Sequence, residues 1–80
     1  MTPEEIIDKC NMYRMIAVFQ DKKYEECNYE WELGSEIFQK LQTQIQNIIC
    51  TDEVKYFMGI SIRINHVYPM KIALWRRITA

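Results

Sequence analysis

Few side chains in this sequence have the type and spacing that catalysis requires. His66 is the single histidine, and no acid follows it in the chain to orient its ring as a general base. The three cysteines, Cys10, Cys27 and Cys50, are widely spaced, which argues against both a zinc site and a disulfide framework. Neither glycine belongs to a phosphate-binding loop. We therefore predict a protein that has no catalytic activity and binds no cofactor and no metal.

Charged side chains are unevenly distributed along the chain. Residues 1–53 carry all eleven acids against five bases, a balance of −6, whereas residues 54–80 carry five bases and no acid. Such asymmetry is typical of a binding surface for an oppositely charged partner, or of two faces that neutralise each other. We expect separate outward surfaces of opposite sign. The acidic surface is predicted at Glu25, Glu26, Glu30 and Glu32.

Basic and aromatic side chains form the second predicted surface. It requires the last two predicted strands to pair as a hairpin with Ile62 opposite Ile72, a pairing that would bring Phe57 opposite Arg77 and allow a cation–π contact between them. Aromatic residues and arginine dominate the binding energy of protein interfaces. The same combination binds nucleic acid, because arginine pairs with phosphate while rings stack on bases. The predicted binding residues are Phe57, Arg63, Tyr68, Lys71, Trp75, Arg76 and Arg77.

These surfaces depend on elements that the hydrophobic pattern predicts in the order α-β-β-α-β-β. The chain opens with Thr2-Pro3-Glu4-Glu5, in which Thr2 and Glu5 have the spacing of a capping box. Two predicted hairpins follow the first helix and flank a long amphipathic second helix. The predicted elements are a helix over 2–11, strands over 12–20 and 24–32, a helix over 35–50, and strands over 54–65 and 70–78.

Three segments show the hydrophobic patterns from which these strands are predicted. Met15–Phe19 is continuously apolar, as in a strand covered on both faces. Val54–Asn65 alternates apolar and polar side chains, with a bend or bulge expected at Gly59. The last segment is predicted as a strand because it completes a hairpin, although Pro69 and the helix formers after it also fit a helix start. The predicted fold is a single α+β domain of 80 residues, with an antiparallel sheet of about four strands and one long helix on a face.

Composition narrows the class of protein further. With 49% hydrophobic and 26% charged residues, and only two glycines and two prolines, the chain has a globular profile. Its longest apolar run, Met15–Phe19, is far below the roughly 20 residues of a membrane span. The acidic start is unlike a signal peptide. We therefore expect a soluble, cytoplasmic protein that binds no membrane.

The expected function is non-catalytic binding or regulation, through protein–protein contacts or as a homo-oligomer. An inhibitor-type accessory protein of a phage or mobile element would fit this size, with its acidic surface occupying a basic groove of the partner. Nucleic-acid or nucleotide binding through the C-terminal hairpin is an alternative, although the sequence pI of about 5.8 is low for such a protein. A small-molecule site at a subunit interface is a further alternative.

Overall fold

The computed structural model describes residues 1–43, 48–50 and 55–77, with residues 48–50 described through their backbone only. The described elements are α1 (Pro3–Gln20), a 3₁₀ turn (Glu26–Asn28), β1 (Tyr29–Gly34), α2 (Ser35–Gln42), β2 (Ile48–Cys50), β3 (Lys55–Phe57), β4 (Ile60–Asn65) and β5 (Ile72–Arg76). The five described strands form one mixed sheet in the order β2-β3-β4-β1-β5. The α+β class is therefore confirmed, whereas the predicted antiparallel sheet is wrong.

The first helix is much longer than predicted. The capping box forms, because the Thr2 hydroxyl accepts from the Glu5 N–H and the Glu5 carboxylate accepts from the Thr2 N–H, both at 3.2 Å. No glycine or proline interrupts the segment that follows, and α1 ends where the Asp21 N–H donates to the Ala17 carbonyl at 2.9 Å. The predicted strand over 12–20 and its hairpin are wrong, since a short apolar run fits a helix as well as a buried strand.

β1 lies inside the sheet and pairs on both of its sides. It runs parallel to β4, with Trp31 opposite Ile62, and antiparallel to β5, with Trp31 opposite Leu74. A parallel pair requires a long crossover connection, and the chain from α2 to β3 supplies it. The predicted pairing of Ile62 with Ile72 is wrong, because β1 lies between their two strands.

The predicted long second helix is shorter in the structure. α2 ends at Gln42, residues 44–47 lie outside the described residues, and residues 48–50 form β2. The prediction that a helix reaches residue 50 is therefore wrong. In the last segment, β5 confirms the predicted strand and lies at an edge of the sheet, while Ile78, where that strand was expected to end, lies outside the described residues.

The predicted strand over 54–65 is two strands joined by a tight turn, and its first residue, Val54, lies outside the described residues. Met58 and Gly59 connect β3 to β4 with φ angles of 55° and 76°. Two successive positive φ angles are typical of a type I′ hairpin turn. The bend expected at Gly59 is thus a full reversal of the chain.

The core fills the space between the sheet and the two described helices. Trp31 is fully buried, and its indole Nε1 donates to the Phe57 carbonyl oxygen at 3.0 Å, so its polar atom is satisfied in apolar surroundings. α1 contacts β5 and α2, which places both helices against the same side of the sheet. The fully buried side chains are Ile6, Cys10, Trp31, Leu33, Ile37, Leu41, Phe57 and Ile60.

The passage from β1 into α2 depends on a close approach of two backbones at Gly34. The Gly34 N–H donates to the Lys71 carbonyl at 2.7 Å, and the N–H groups of Glu36 and Ile37 donate to the Pro69 carbonyl at 3.0 and 3.2 Å. The segment between β4 and β5 therefore caps the N-terminus of α2. A Cβ atom at Gly34 would overlap the Pro69 carbonyl group.

We predict that Gly34→Ala lowers the free energy of unfolding by about 3 kcal/mol, because a backbone carbonyl cannot yield as a flexible side chain can. Gly59→Ala is the comparison variant, since the added Cβ meets only the Glu26 side chain, at an ordinary van der Waals distance of 3.6 Å, and the cost of about 1 kcal/mol comes from the positive φ. Urea unfolding followed by circular dichroism measures both. Equal losses of stability in the two variants would contradict the close approach.

Candidate binding surfaces

The side of the sheet opposite the helices carries polar, charged and aromatic residues, and we call it the open sheet face. In β1 the alternation of a strand sends Tyr29, Trp31 and Leu33 into the core and leaves Glu30 and Glu32 on the open sheet face. The strand register places further residues there, namely Tyr56, Ser61, Arg63, Asn65, Ala73 and Trp75.

Glu32 is the centre of a hydrogen-bond network on this face. Its Oε1 accepts from the Trp75 indole Nε1 at 2.8 Å, and its Oε2 accepts from the Asn65 side-chain amide at 2.8 Å. Lys71 Nζ and Arg63 Nη2 lie 3.8 and 3.9 Å from Oε1. The hydrogen bonds from Trp75 and then Asn65 lower the pKa of Glu32 below its ordinary value, with smaller help from the two cations. The carboxylate is therefore held in its ionised form.

Opposite charges from the two parts of the chain meet within one molecule. Arg63 Nε lies 3.5 Å from Glu30 Oε1 on the open sheet face. Arg76 Nη1 lies 3.9 Å from Asp21 Oδ2 on the helix side of the sheet. The expectation of separate acidic and basic surfaces is therefore wrong for these residues, because the glutamates of β1 lie within 4 Å of Arg63 or Lys71 and Asp21 lies within 4 Å of Arg76.

The fold brings some residues of the predicted basic-aromatic surface together on the open sheet face. Arg63, Lys71 and Trp75 reach the open sheet face, whereas Tyr68 is 64% exposed on the loop after β4, with Lys71 Nζ 5.9 Å from its ring centroid. Phe57 is 1% exposed, so its prediction as a surface residue is wrong. The tight turn pairs Phe57 with Ile60, and this pairing turns its side chain to the core face of the sheet.

An open groove of about 580 Å³ runs along the open sheet face beside β4. The backbone N–H of Arg77 donates to the Asn28 carbonyl at 2.7 Å. Both Arg77 and the predicted acidic residue Glu26 line the groove. Glu25 instead accepts from the Cys27 thiol at 3.5 Å. The groove mixes charges of both signs, and its lining includes Glu26, Glu30, Tyr56, Ser61, Arg63 and Arg77.

The groups with nucleophilic or metal-binding chemistry are dispersed. Cys10 is fully buried, and burial raises the pKa of its thiol to about 12, so the thiol stays protonated at neutral pH. His66 is exposed on the loop after β4. Within residues 1–43, 48–50 and 55–77, no three His, Cys, Asp or Glu side chains are grouped to hold a metal ion. In the same part of the chain, no helix has the length and apolar character needed to cross a membrane.

The C-terminal half of α1 presents a surface that was not predicted. Four large apolar residues recur at steps of three, one and three, which places them on one side of the helix. We call them the outer stripe: Met12, Met15, Ile16 and Phe19, which are 53%, 63%, 46% and 89% exposed. The residues of α1 that pack against the core are Ile6, Ile7, Cys10, Tyr13 and Ala17.

The sequence signal for the outer stripe is the helical spacing of its apolar residues. This signal is lost when the segment is assigned as a strand, because neighbouring residues of a strand lie on opposite faces. The capping box at Thr2, followed by a segment without glycine or proline, supports the longer helix. The contact of Glu32 with Asn65 carries no such local signal, since 33 residues separate the two. No protein-family model, curated protein or solved structure matches this chain.

We predict that Trp75→Phe raises the pKa of Glu32 toward 4.5, because it removes the hydrogen bond that lowers this pKa most. Tyr68→Phe is the matched control, an exposed aromatic that donates no hydrogen bond to Glu32 in the described structure. Carbon-13 NMR titration of the Glu32 carboxyl group measures the shift. A Glu32 pKa that is the same in wild type and Trp75→Phe would exclude this contact.

The lowered pKa of Glu32 also sets the sign of a pH effect on stability. Because protonation is easier in the unfolded chain, the network stabilises the fold fully above about pH 4.5, and this contribution is lost as the pH falls through the lowered folded-state value.

Proposed function

We propose that the protein is a non-catalytic binding protein that acts through protein–protein contacts made by the outer stripe of α1. The exposure of Phe19 carries the proposal, since 89% of this residue is open to solvent within an apolar stripe. Isolated apolar residues on a surface are ordinary, but a contiguous apolar patch on a small protein is typical of an interaction site. This proposal gives the expected binding role a different surface from the two that the sequence predicted.

The stripe has the chemistry of an interface as well as its exposure. Burying the Phe19 ring would remove on the order of 150 Å² from water and contribute about 3 kcal/mol to binding. Met12 and Met15 are unbranched and polarisable, so they adapt to the shape of a partner surface. Val18, 48% exposed, extends the apolar area on one flank of the stripe.

The state of the candidate chemical groups supports binding over catalysis. The Cys10 thiol is buried with a raised pKa, so it is a poor nucleophile. Glu32 has a lowered pKa and accepts two hydrogen bonds, so it is a poor proton acceptor at neutral pH.

The open sheet face gives less support to nucleic-acid binding. Glu30 and Glu32 of β1 lie between the strand that carries Arg63 and the strand that carries Trp75. A phosphate group approaching Arg63 or Lys71 would therefore meet a carboxylate. Arg63 and Lys71 also already lie within 4 Å of these carboxylates.

Replacing Phe19 with Asp tests the proposal, because it places a charge in the stripe and disturbs no buried contact. We predict that Phe19→Asp changes the free energy of unfolding by no more than about 0.5 kcal/mol but abolishes retention of the partner. The measurement is affinity capture from cells after nuclease treatment, with a differently tagged copy of the protein counted among the captured proteins.

Val67→Asp is the matched control, since Val67 is 78% exposed but lies on the loop after β4. It should retain every partner that the wild type retains. Equal retention by Phe19→Asp and Val67→Asp would refute the outer stripe as the binding surface. Loss of the partner with Trp75→Ala alone would move the site to the open sheet face.

A further inference from the structure

We infer that the partner of the outer stripe is a second copy of this chain, bound with its α1 antiparallel to the first. The inference rests on the proposed function, because it names the occupant of the same surface. Its basis is the distribution of charge at the two ends of the stripe, together with the area that the stripe exposes.

The outer stripe is acidic at one end and basic at the other. Asp8 lies one helical turn before Met12 and therefore on the same side of α1, and Glu5 lies one turn before Asp8; Lys9 is also one turn before Met12, so these three residues make this end net acidic by one charge. Lys22 and Lys23 follow directly after the helix and are exposed. In sequence order, the charge thus changes from net negative through apolar to positive.

In a pair of such helices, opposite charges face each other only when the two helices run antiparallel. A two-fold axis through the middle of the stripe places Met12 of one copy opposite Phe19 of the second copy. Asp8 of each copy then faces the segment of Lys22 and Lys23 in the other. A parallel pair would bring Asp8 beside Asp8 and lysine beside lysine, and it would also align the helix dipoles unfavourably.

The exposed area predicts a weak dimer. The outer stripe and Val18 together expose on the order of 400–500 Å² of apolar surface per copy. A standard stable interface uses about 800 Å² per partner, so the ion pairs at the two ends must add to the apolar contact. We therefore expect a dissociation constant on the order of 10–100 µM.

A membrane surface fits the outer stripe less well than a second copy does, because acidic residues lie in line with the stripe. Glu5 lies two turns before Met12 on the same side of α1, and Asp8 lies between them. An anionic lipid surface that covered the stripe would therefore repel two carboxylates that continue its line, whereas helices that lie on such lipid are rich in lysine and arginine.

Two charge reversals test the antiparallel pair by sedimentation velocity over a concentration series. Asp8→Lys alone and Lys23→Glu alone should each weaken the dimer about 10-fold, because each places like charges at both ends of the contact. An equimolar mixture of the two variants should restore wild-type affinity, since residue 8 of each copy in the mixed dimer again faces a residue 23 of opposite sign. The reference variants are Phe19→Asp, which should be monomeric, and Val67→Asp, which should dimerise like wild type.

The outcomes separate this inference from the proposed function. A wild-type chain that stays monomeric to about 1 mM overturns the inference, and the capture experiment with Phe19→Asp then decides the proposed function by itself. A dimer in which the single reversals have no effect overturns the antiparallel arrangement. A dimer that persists in Phe19→Asp overturns the inference and places self-association elsewhere, for which the edge strand β5 is the next surface to test.

Discussion

β1 must satisfy two environments at once, because both described helices pack on one face of the sheet and leave the other face open. Its alternation sends Trp31 into the core, where the indole Nε1 donates to the Phe57 carbonyl, and sends Glu32 outward, where two side-chain donors hold it ionised. A shift of one residue would bury the carboxylates and expose the indole. The register of β1 therefore fixes both the core and the open sheet face, and the neighbouring strands β4 and β5 take their positions from it.

The same arrangement leaves α1 with more apolar surface than the fold uses. The core uses one side of the helix, where Ile6 and Cys10 are fully buried. The outer stripe lies on another side and contributes little to the core, so folding does not account for Phe19 at 89% exposure. The proposed binding role would account for it, because a partner surface would remove the stripe from water. In the inferred dimer, the charges at the ends of the stripe would favour an antiparallel second copy as the partner.

Local features of the sequence predicted several elements correctly, but they did not predict which strands pair with each other. The capping box at Thr2 marked the start of α1, and the alternation of Trp31 with Glu30 and Glu32 assigned the two faces of β1. The segment over 12–20 was wrong because periodicity cannot distinguish a short apolar run in a helix from one in a strand. Phe57 was misplaced because a two-residue turn at Gly59 reverses the chain inside an unbroken alternation. No local pattern in the sequence predicts that β1 lies between β4 and β5. This position of β1 brings together the acidic and basic side chains that were expected on separate surfaces.

Methyl NMR of the methionines over a concentration series tests the central claim most directly. Met12 and Met15 lie in the outer stripe, and Met70, 45% exposed on the loop before β5, is a reference of similar exposure in the same sample. From about 20 µM to 1 mM, the methyl signals of Met12 and Met15 should shift steadily while that of Met70 stays constant. Unchanged signals from Met12 and Met15 across this range, or equal shifts of all three, would contradict burial of the stripe by a second copy.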